Sequence, residues 1–211
     1  IIAGCSGGLF DNITEAADII RGGSTGNGAF TFDVYPTSVP VSLELTRDGV
    51  TTDLLQTGAV IKPAFCGPCF GAGDVPANDA FSIRHTTRNF PNREGSKPGE
   101  GQFAGVCLMD ARSIAATTAN GGRITAATDV DYEPVRREYH FDKSVYDNRL
   151  YYGFGKADPS VELVMGPNIT DWPRMYDLTE NLLVELAAVI HDPVTTTDEL
   201  IPSGESSSYR S

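Results

Sequence analysis

The feature of this 211-residue chain that most constrains its fold is an alternation of short apolar runs with segments of helical periodicity. In the segment 12–22, apolar residues recur at helical spacing, Asn12 can cap the first turn and Gly22 can end the helix. A second helix is predicted to run from Asp110, as its cap, to Ala119, because two glycines follow shortly afterwards. Strands that alternate with helices favour an α/β fold with a mainly parallel sheet.

Four short segments are predicted to be strands, and the third and fourth of them are expected to be buried. They cover residues 1–5, 30–35, 59–61 and 102–108. A further segment, 41–45, also alternates apolar and polar side chains, but it precedes the turn sequence Arg47-Asp48-Gly49. This segment can form a strand or a short helix, so its assignment stays open.

The charge and the apolar runs of the chain disfavour two classes of protein. Its formal net charge is −12, whereas nucleic-acid binders depend on clustered lysines and arginines that neutralise phosphates. Its longest apolar run, within 181–191, is far shorter than the roughly 20 residues that span a bilayer. The start of the chain has no basic and apolar leader, so we expect a cytoplasmic protein that binds neither nucleic acid nor membrane.

The distribution of apolar residues divides the chain into three predicted regions. Residues 1–128 hold the alternating strands and helices and are predicted to be one α/β domain. Residues 129–180 mix charges and tyrosines without a stable period, which is typical of an extended linker that lies over a surface. A new apolar element begins at Leu182, so residues 181–211 are predicted to start another domain. The chain opens without Met and closes on a serine-rich segment, which predicts a fragment of a longer protein.

Three of the four cysteines, Cys5, Cys66 and Cys69, lie in glycine-rich sequence, whereas Cys107 lies in an apolar run. A cysteine in an apolar run is usually a small buried hydrophobic residue, and we interpret Cys107 in that way. The Cys-Gly-Pro-Cys pair at 66–69 has three interpretations. It can be a redox dithiol, half of a zinc site, or two ligands of an iron–sulfur cluster whose third ligand is a distant thiolate.

The sequence around this pair weakens the first two interpretations. A redox dithiol of this spacing opens a helix, and the glycines and the proline in the segment 70–76 disfavour a helix there. A structural zinc ion needs four ligands, usually in two pairs, and the chain has only one such pair. Spacing alone does not rank the iron–sulfur interpretation far above the other two.

Four separated blocks of the sequence resemble the aconitase superfamily. The block at 66–69 precedes Thr-Arg-Asn-Phe-Pro-Asn-Arg at 87–93, which is similar to the family's N-R-N-F-x-x-R block. The separation of Cys5 from the pair is similar to that of the family's first cluster cysteine. Thr-Thr-Asp at 196–198, followed by Arg210, resembles the residues that open the family's mobile swivel domain. The blocks follow the family's order over nearly the whole chain.

The resemblance implies an iron–sulfur hydro-lyase of the aconitase and isopropylmalate isomerase type. Such an enzyme dehydrates and rehydrates a hydroxy di- or tricarboxylic acid. Three thiolates, matched here by Cys5, Cys66 and Cys69, hold a [4Fe-4S] cluster in the family and leave one iron open as a Lewis acid for the substrate. The resemblance also implies that residues 1–128 form a three-layer α/β domain and that residues 181–211 are the first part of a swivel domain.

The resemblance also assigns residues to the substrate. Arg88, Arg93 and Arg210 match arginines that grip substrate carboxylates, a task that suits the planar guanidinium group. Thr87 stands where the family has a residue beside the cluster and the substrate, so it is assigned to substrate binding. Asp198 matches an active-site aspartate in the hydrogen-bond network around the substrate hydroxyl, and it is predicted to be catalytic.

Three positions depart from the family pattern close to this site. The first cysteine block reads Gly-Cys-Ser-Gly at 4–7 instead of S-C-T-N, Thr87 replaces an asparagine, and Glu199 replaces a histidine. The ligand cysteines are retained. The departures therefore indicate a divergent, hydratase-like branch for which citrate should not be assumed as the substrate.

The resemblance covers only part of an active site that the family assembles from four domains. This chain matches the third domain, the linker and the start of the fourth, so it lacks the serine base and the groups of the first two domains. We therefore expect the remaining domains of a parent protein as partners, and no turnover from the fragment alone. The alternatives are a dithiol redox or thiol-sensing module that uses Cys66 and Cys69, and a non-catalytic interaction domain that retains the fold.

Overall fold

The computed structural model describes residues 1–28, 30–87, 94–162, 164–167 and 174–191. The helices in these ranges are α1 (Gly4–Gly7), α2 (Phe10–Ile20), α3 (Val39–Arg47), α4 (Val50–Gln56), α5 (Ala111–Ala119) and α6 (Ser144–Asp147). The strands are β1 (Asp33–Val34), β2 (Val60–Ile61), β3 (Ala80–Arg84) and β4 (Ala104–Leu108). This alternation of strands and helices confirms the predicted α/β class. Within the same ranges, no helix is long and apolar enough to cross a membrane.

The strands of the described ranges pair in parallel, as the sequence predicts. β1 pairs with β2, and β3 pairs with β4 along the full length of both strands. Ile2 lies between the two pairs, because it forms parallel bridges to Val34 and to His85. The spatial order is therefore β2, β1, the Ile2 segment, β3 and β4. Because all these segments run in the same direction, their carboxyl ends meet at one edge of the sheet.

Two of the predicted strands are much shorter than expected, and two are less buried. The segment 30–35 contributes only β1, and the segment 1–5 contributes only the bridges of Ile2 before α1 begins. The third predicted strand forms as β2, but Val60 is 42% exposed and only Ala59 beside it is buried. The fourth predicted strand forms as β4, whose residues are half-buried or exposed. The expectation of burial is wrong for both strands because β2 and β4 lie at the two ends of the strand order, where one side has no neighbouring strand among the described residues.

Both predicted helices form, but only one of the predicted caps is correct. α5 begins after Asp110, whose carboxylate accepts bonds from the amides of Arg112 and Ser113 at 3.1 Å each. α2 begins at Phe10, before the predicted cap, and it ends at Ile20. The Asn12 side chain instead donates to the carbonyl of Ser6 at 2.8 Å. A partner outside the helix has therefore replaced the local capping contact.

The segment 41–45, for which the sequence allows a strand or a helix, is helical. It lies in α3, where the hydroxyl of Ser38 accepts a bond from the amide of Val41 at 3.4 Å. Pro40 occupies the first turn, where its missing amide proton breaks no helical hydrogen bond. The capping residue and the proline thus outweigh the alternating pattern.

The hydrophobic core forms where α2 packs against α4 and α5, and where α5 packs against β3. The predicted apolar face of α2 is buried in this core. The side chains that are almost completely inaccessible include Ile2, Ile13, Ala16, Ala17, Ile20, Phe32, Val34, Val50, Leu54, Ile114, Ala115 and Ala116. Ile2 is part of this set, so the residues just before α1 are held firmly at the centre of the sheet.

We expect the substitution Asp110→Ala to lower the free energy of unfolding by about 1 kcal/mol at neutral pH, because the first amides of α5 lose their acceptor. Burial alone would raise the pKa of Asp110, but hydrogen bonds from the hydroxyl and amide of Ser113 and from Arg112 outweigh burial and lower that pKa. The stabilisation by the carboxylate is therefore present above the ordinary aspartate pKa of about 3.9, and it is lost as the pH falls through the lowered value.

Urea unfolding of both proteins from neutral pH down to about pH 2 measures this effect. The difference in the free energy of unfolding between the unsubstituted protein and Asp110→Ala should become smaller in acid. A difference that stays constant across the range would contradict the capping role of the carboxylate.

The described part of the predicted linker is anchored to the helices by two buried carboxylates. Asp18 in α2 accepts bonds from the amide of Val135 at 2.8 Å and from the guanidinium of Arg137 at 2.9 Å. Glu44 in α3 lies 3.2 Å from Nδ1 of His140. These contacts hold an extended segment against the domain surface. The boundaries at 128 and 180 remain predictions.

Candidate metal centre

The carboxyl edge of the sheet gathers the first cysteine and the residues that follow β3. The chain passes from Ile2 into α1, which places Cys5 in this short helix. His85 pairs with Ile2, so Thr87 follows at the same edge. Ligand sites in parallel α/β sheets commonly lie at this edge, outside the carboxyl ends of the strands.

The Cys-Gly-Pro-Cys block forms a compact turn. The amide of Cys69 donates to the carbonyl of Cys66 at 3.0 Å, and the amide of Ala72 donates to the carbonyl of Gly67 at 3.0 Å. The turn is a single 3-10 helix, and no α-helix follows it in the described residues 70–79. The helix that a redox dithiol of this spacing opens is therefore missing from this turn.

Gly4 brings this turn and the first cysteine together. A Cβ atom built on Gly4 would lie 2.6 Å from Sγ of Cys69, so this sulfur packs against the backbone one residue before Cys5. Cys5 and Cys66 line the same cavity, which has a volume of about 170 Å³. Cys69 is buried, whereas Cys5 and Cys66 are exposed. Cys5 and Cys66 therefore share one cavity, and Cys69 packs against Gly4, which also lines that cavity.

The three thiols are the groups at this place with the chemistry to hold a metal cluster. In the part of the chain that the structure describes, no three His, Cys, Asp or Glu side chains are grouped as ligands of one metal ion. A cluster needs a wider arrangement, because each thiolate binds a different iron. The assignment of the three cysteines as cluster ligands therefore remains a prediction.

Thr87 contacts the first cysteine directly. Its Oγ1 lies 3.1 Å from Sγ of Cys5 and 3.1 Å from Oγ of Ser6, and it accepts a bond from the Ser6 amide at 3.3 Å. Ser6 and Thr87 both stand at positions that depart from the family pattern, and here their hydroxyls contact each other.

Arg84 is a residue of this region that the sequence interpretation missed. Its side chain is almost fully buried, with 1% of the residue exposed, at the end of β3. It donates to the carbonyl of Pro68 at 2.9 Å and to the carbonyl of Asp74 at 2.7 Å. Burial lowers the pKa of Arg84, and the charges of Glu94 and Asp74 oppose that shift. The only sequence signal for it is a charged residue that ends a largely apolar strand.

The loop after the cysteine turn has a second anchor at Asp74. The hydroxyl of Tyr35 donates to Oδ2 of Asp74 at 2.5 Å, and Nζ of Lys62 lies 3.8 Å from the other carboxylate oxygen. Burial, and after it this hydrogen bond, raises the pKa of Tyr35, so its phenol stays protonated at physiological pH. The loop is therefore held in place by contacts to the side chain of Asp74 as well as by hydrogen bonds to its backbone carbonyls.

The remaining predicted site residues lie outside the described residues. These are Arg88, Arg93, Asp198 and Arg210. Their roles in substrate binding and catalysis remain predictions.

The fourth cysteine, Cys107, is half-buried rather than buried, and it packs against the core. Its thiol donates to the carbonyl of Leu108 at 3.4 Å. The prediction that Cys107 is buried is wrong, because β4, like β2, has only one neighbouring strand in the described part of the chain. Cys107 is not among the residues that line the cavity at Cys5 and Cys66.

Comparison with known families gives a match over the part of the chain that contains this site. Residues 1–116 match the model of the aconitase family, described as aconitate hydratase. The matched range includes the described cysteine turn, Thr87 and Arg84. It covers more than half of the 211 residues.

Individual relatives are similar to the chain over 59% to 68% of its residues. A 3-isopropylmalate dehydratase large subunit 2 of Rubrobacter xylanophilus is 34% identical over 140 residues, which are 64% of this chain and 30% of that protein. A mitochondrial homoaconitase of Candida albicans is 31% identical over 145 residues, 68% of this chain and 20% of that protein. A 3-isopropylmalate dehydratase large subunit of Nitratidesulfovibrio vulgaris is 29% identical over 125 residues, 59% of this chain and 30% of that protein. The chain thus spans less than a third of the length of each of these relatives.

Proposed function

The chain belongs to the aconitase family, and from this membership we propose that it is the cluster-carrying part of a hydro-lyase. The reaction is the dehydration and rehydration of a small hydroxy di- or tricarboxylic acid. The observation that carries the proposal is the cavity that Cys5 and Cys66 share at the carboxyl edge of a parallel sheet, with Cys69 packed against Gly4 in the wall of that cavity. The names of the relatives, which are dehydratases and a homoaconitase, support the same class of reaction.

Cys5, Cys66 and Cys69 would hold a [4Fe-4S] cluster. When bound, the cluster supplies an iron without a protein ligand, which acts as a Lewis acid toward the hydroxyl and a carboxylate of the substrate. The donor set supports this assignment, because three thiols approach one place from two separate segments of the chain. Burial of Cys69 keeps water away from one sulfur, and the hydroxyl of Thr87 at 3.1 Å orients the sulfur of Cys5.

The substrate would be held by arginines and by groups close to the cysteines. Arg88 and Arg93, which follow Thr87 in sequence, are proposed to bind carboxylates through paired guanidinium donors. Arg210 is proposed to bind a further carboxylate, and Asp198 to hold the proton network at the substrate hydroxyl. The net charge of −12 repels a polyanionic substrate overall, so binding depends on these few cations.

We expect the isolated 211-residue chain to hydrate neither unsaturated dicarboxylates nor unsaturated tricarboxylates. It spans 20% to 30% of the length of its relatives, and the remaining domains are proposed to supply the serine base and further substrate contacts. The loss of ultraviolet absorbance of the substrate's double bond measures the reaction. Turnover by the isolated chain would contradict the proposed division of the active site.

The proposal is tested by anaerobic reconstitution of the chain with ferrous iron and sulfide. A broad brown visible absorbance is expected, together with bound iron and sulfide in similar amounts. A redox dithiol would instead bind neither, and thiol titration would find one cysteine of low pKa in the pair Cys66 and Cys69. That second outcome would replace the hydro-lyase proposal with the thiol-sensing alternative.

A further inference from the structure

Arg84 connects β3 to both sides of the cysteine turn. Its Nη1 donates to the carbonyl of Pro68 at 2.9 Å, and its Nη2 donates to the carbonyl of Asp74 at 2.7 Å. Its Nε donates to the hydroxyl of Ser82 on the same strand at 2.9 Å. Each of the three guanidinium nitrogens therefore has an acceptor. Since Cys69 directly follows Pro68, the first of these bonds acts next to a predicted ligand.

Burial of the Arg84 guanidinium has a desolvation cost that a purely apolar side chain would avoid. Removing a guanidinium from water is unfavourable unless its donors are paired, and here the pairing is to backbone carbonyls of a loop. The loop 70–75 has no helix or strand of its own. The conformation of this loop therefore depends on contacts with other parts of the chain. The planar guanidinium group can donate to two separate carbonyls in a fixed geometry.

We propose that Arg84 is a positioning residue for the cysteine turn, which it holds in the geometry that presents Cys66 and Cys69 to a metal cluster together with Cys5. The identity of the ligand rests on the proposed function. The part of the inference that concerns the position of the turn rests only on the hydrogen bonds of Arg84. The buried guanidinium also places a fixed positive charge close to sulfurs that are anionic when they bind iron.

The first experiment measures the holding of the turn without any metal. Amide hydrogen exchange is compared for the full chain, Arg84→Gln, Arg84→Lys and the control Arg149→Gln, which alters an exposed arginine in the predicted linker. We expect faster exchange at residues 66–75 in Arg84→Gln, an intermediate rate in Arg84→Lys, and unchanged exchange in α5. Unchanged exchange at the turn would overturn the proposal. Loss of protection throughout the domain would also overturn it, since Arg84 would then be only a core residue.

The second experiment measures retention of the cluster. After anaerobic reconstitution with ferrous iron and sulfide, iron release to a chelator should be about 10- to 100-fold faster from Arg84→Gln than from the Arg149→Gln control. Equal release from both would overturn the positioning role. If the unsubstituted chain binds no iron and sulfide, the proposed function fails together with the ligand part of this inference. The exchange comparison then still decides whether Arg84 holds the turn.

Discussion

The substitution Gly4→Ala is expected to abolish cluster assembly, whereas Gly22→Ala is expected to leave it intact. A Cβ atom on residue 4 would lie 2.6 Å from Sγ of Cys69 and 3.1 Å from Oγ1 of Thr87. The sulfur is at the end of a short side chain and can rotate away, but this movement takes it out of its position against the backbone of residue 4, next to Cys5 in the chain. Relief of the clash therefore displaces a predicted ligand.

Gly22 is a matched control for the strain of the backbone. Both glycines have left-handed φ values, +78° at Gly4 and +74° at Gly22, but nothing lies within 4 Å of a Cβ at Gly22. Both alanine variants therefore carry a backbone cost of about 1 kcal/mol, and only Gly4→Ala also carries the clash. The iron bound after anaerobic reconstitution measures the effect of the clash on the ligand. Urea unfolding measures the cost of the backbone strain. If Gly4→Ala binds as much iron as Gly22→Ala, Cys69 is not held where the proposed ligand must be.

The second large effect is expected from Asp18→Asn, which should lower the free energy of unfolding by about 3 kcal/mol. The side chain of Asp18 is 1% exposed and accepts bonds from Arg21 at 2.7 Å, from Arg137 at 2.9 Å and from the amide of Val135 at 2.8 Å. An uncharged amide leaves the largely buried guanidinium of Arg137 without its anion, whereas Arg21 keeps a second carboxylate near the surface. The segment around Arg137 should then detach and become accessible to trypsin.

Asp53→Asn is the control for this substitution, because Asp53 also binds Arg21 but does so near the surface. Nε of Arg21 lies 2.9 Å from Oδ2 of Asp53, whose side chain is 29% exposed. Such an exposed pair contributes less than about 1 kcal/mol. Urea unfolding and the rate of tryptic cleavage after Arg136 and Arg137 compare the two variants. Equal effects of both substitutions would contradict the anchoring of the linker by Asp18.

The parts of the fold that the sequence predicts correctly are those that depend on local signals. Asp110 caps α5 because its carboxylate needs only the amides of the next turn, and the parallel sheet follows from the alternation of strands and helices. The cap at Asn12 fails because its side chain finds the carbonyl of Ser6, a partner before α2 begins. The burial of β2 fails because the position of a strand within a sheet is not a local property.

The candidate site shows the same division. The pair Cys66 and Cys69 allows a redox dithiol, a zinc site or an iron–sulfur cluster. Only the resemblance connected this pair with Cys5, since spacing along the chain carries no information about distance in the fold. Arg84 escaped prediction because its acceptors are the carbonyls of Pro68 and Asp74. Carbonyls are present at every residue, so no side-chain pattern indicates which of them a buried guanidinium will meet.

The most direct test of the central claim is the iron content of four cysteine variants after anaerobic reconstitution. Cys107→Ser should retain the brown absorbance and about four irons per chain, like the unsubstituted protein, because Cys107 lies away from the cavity. Cys5→Ser, Cys66→Ser and Cys69→Ser should each lose both, because each removes one of three ligands. Full iron content in Cys5→Ser, or an equal loss in Cys107→Ser, would contradict the assignment of these three cysteines as the ligands of one cluster.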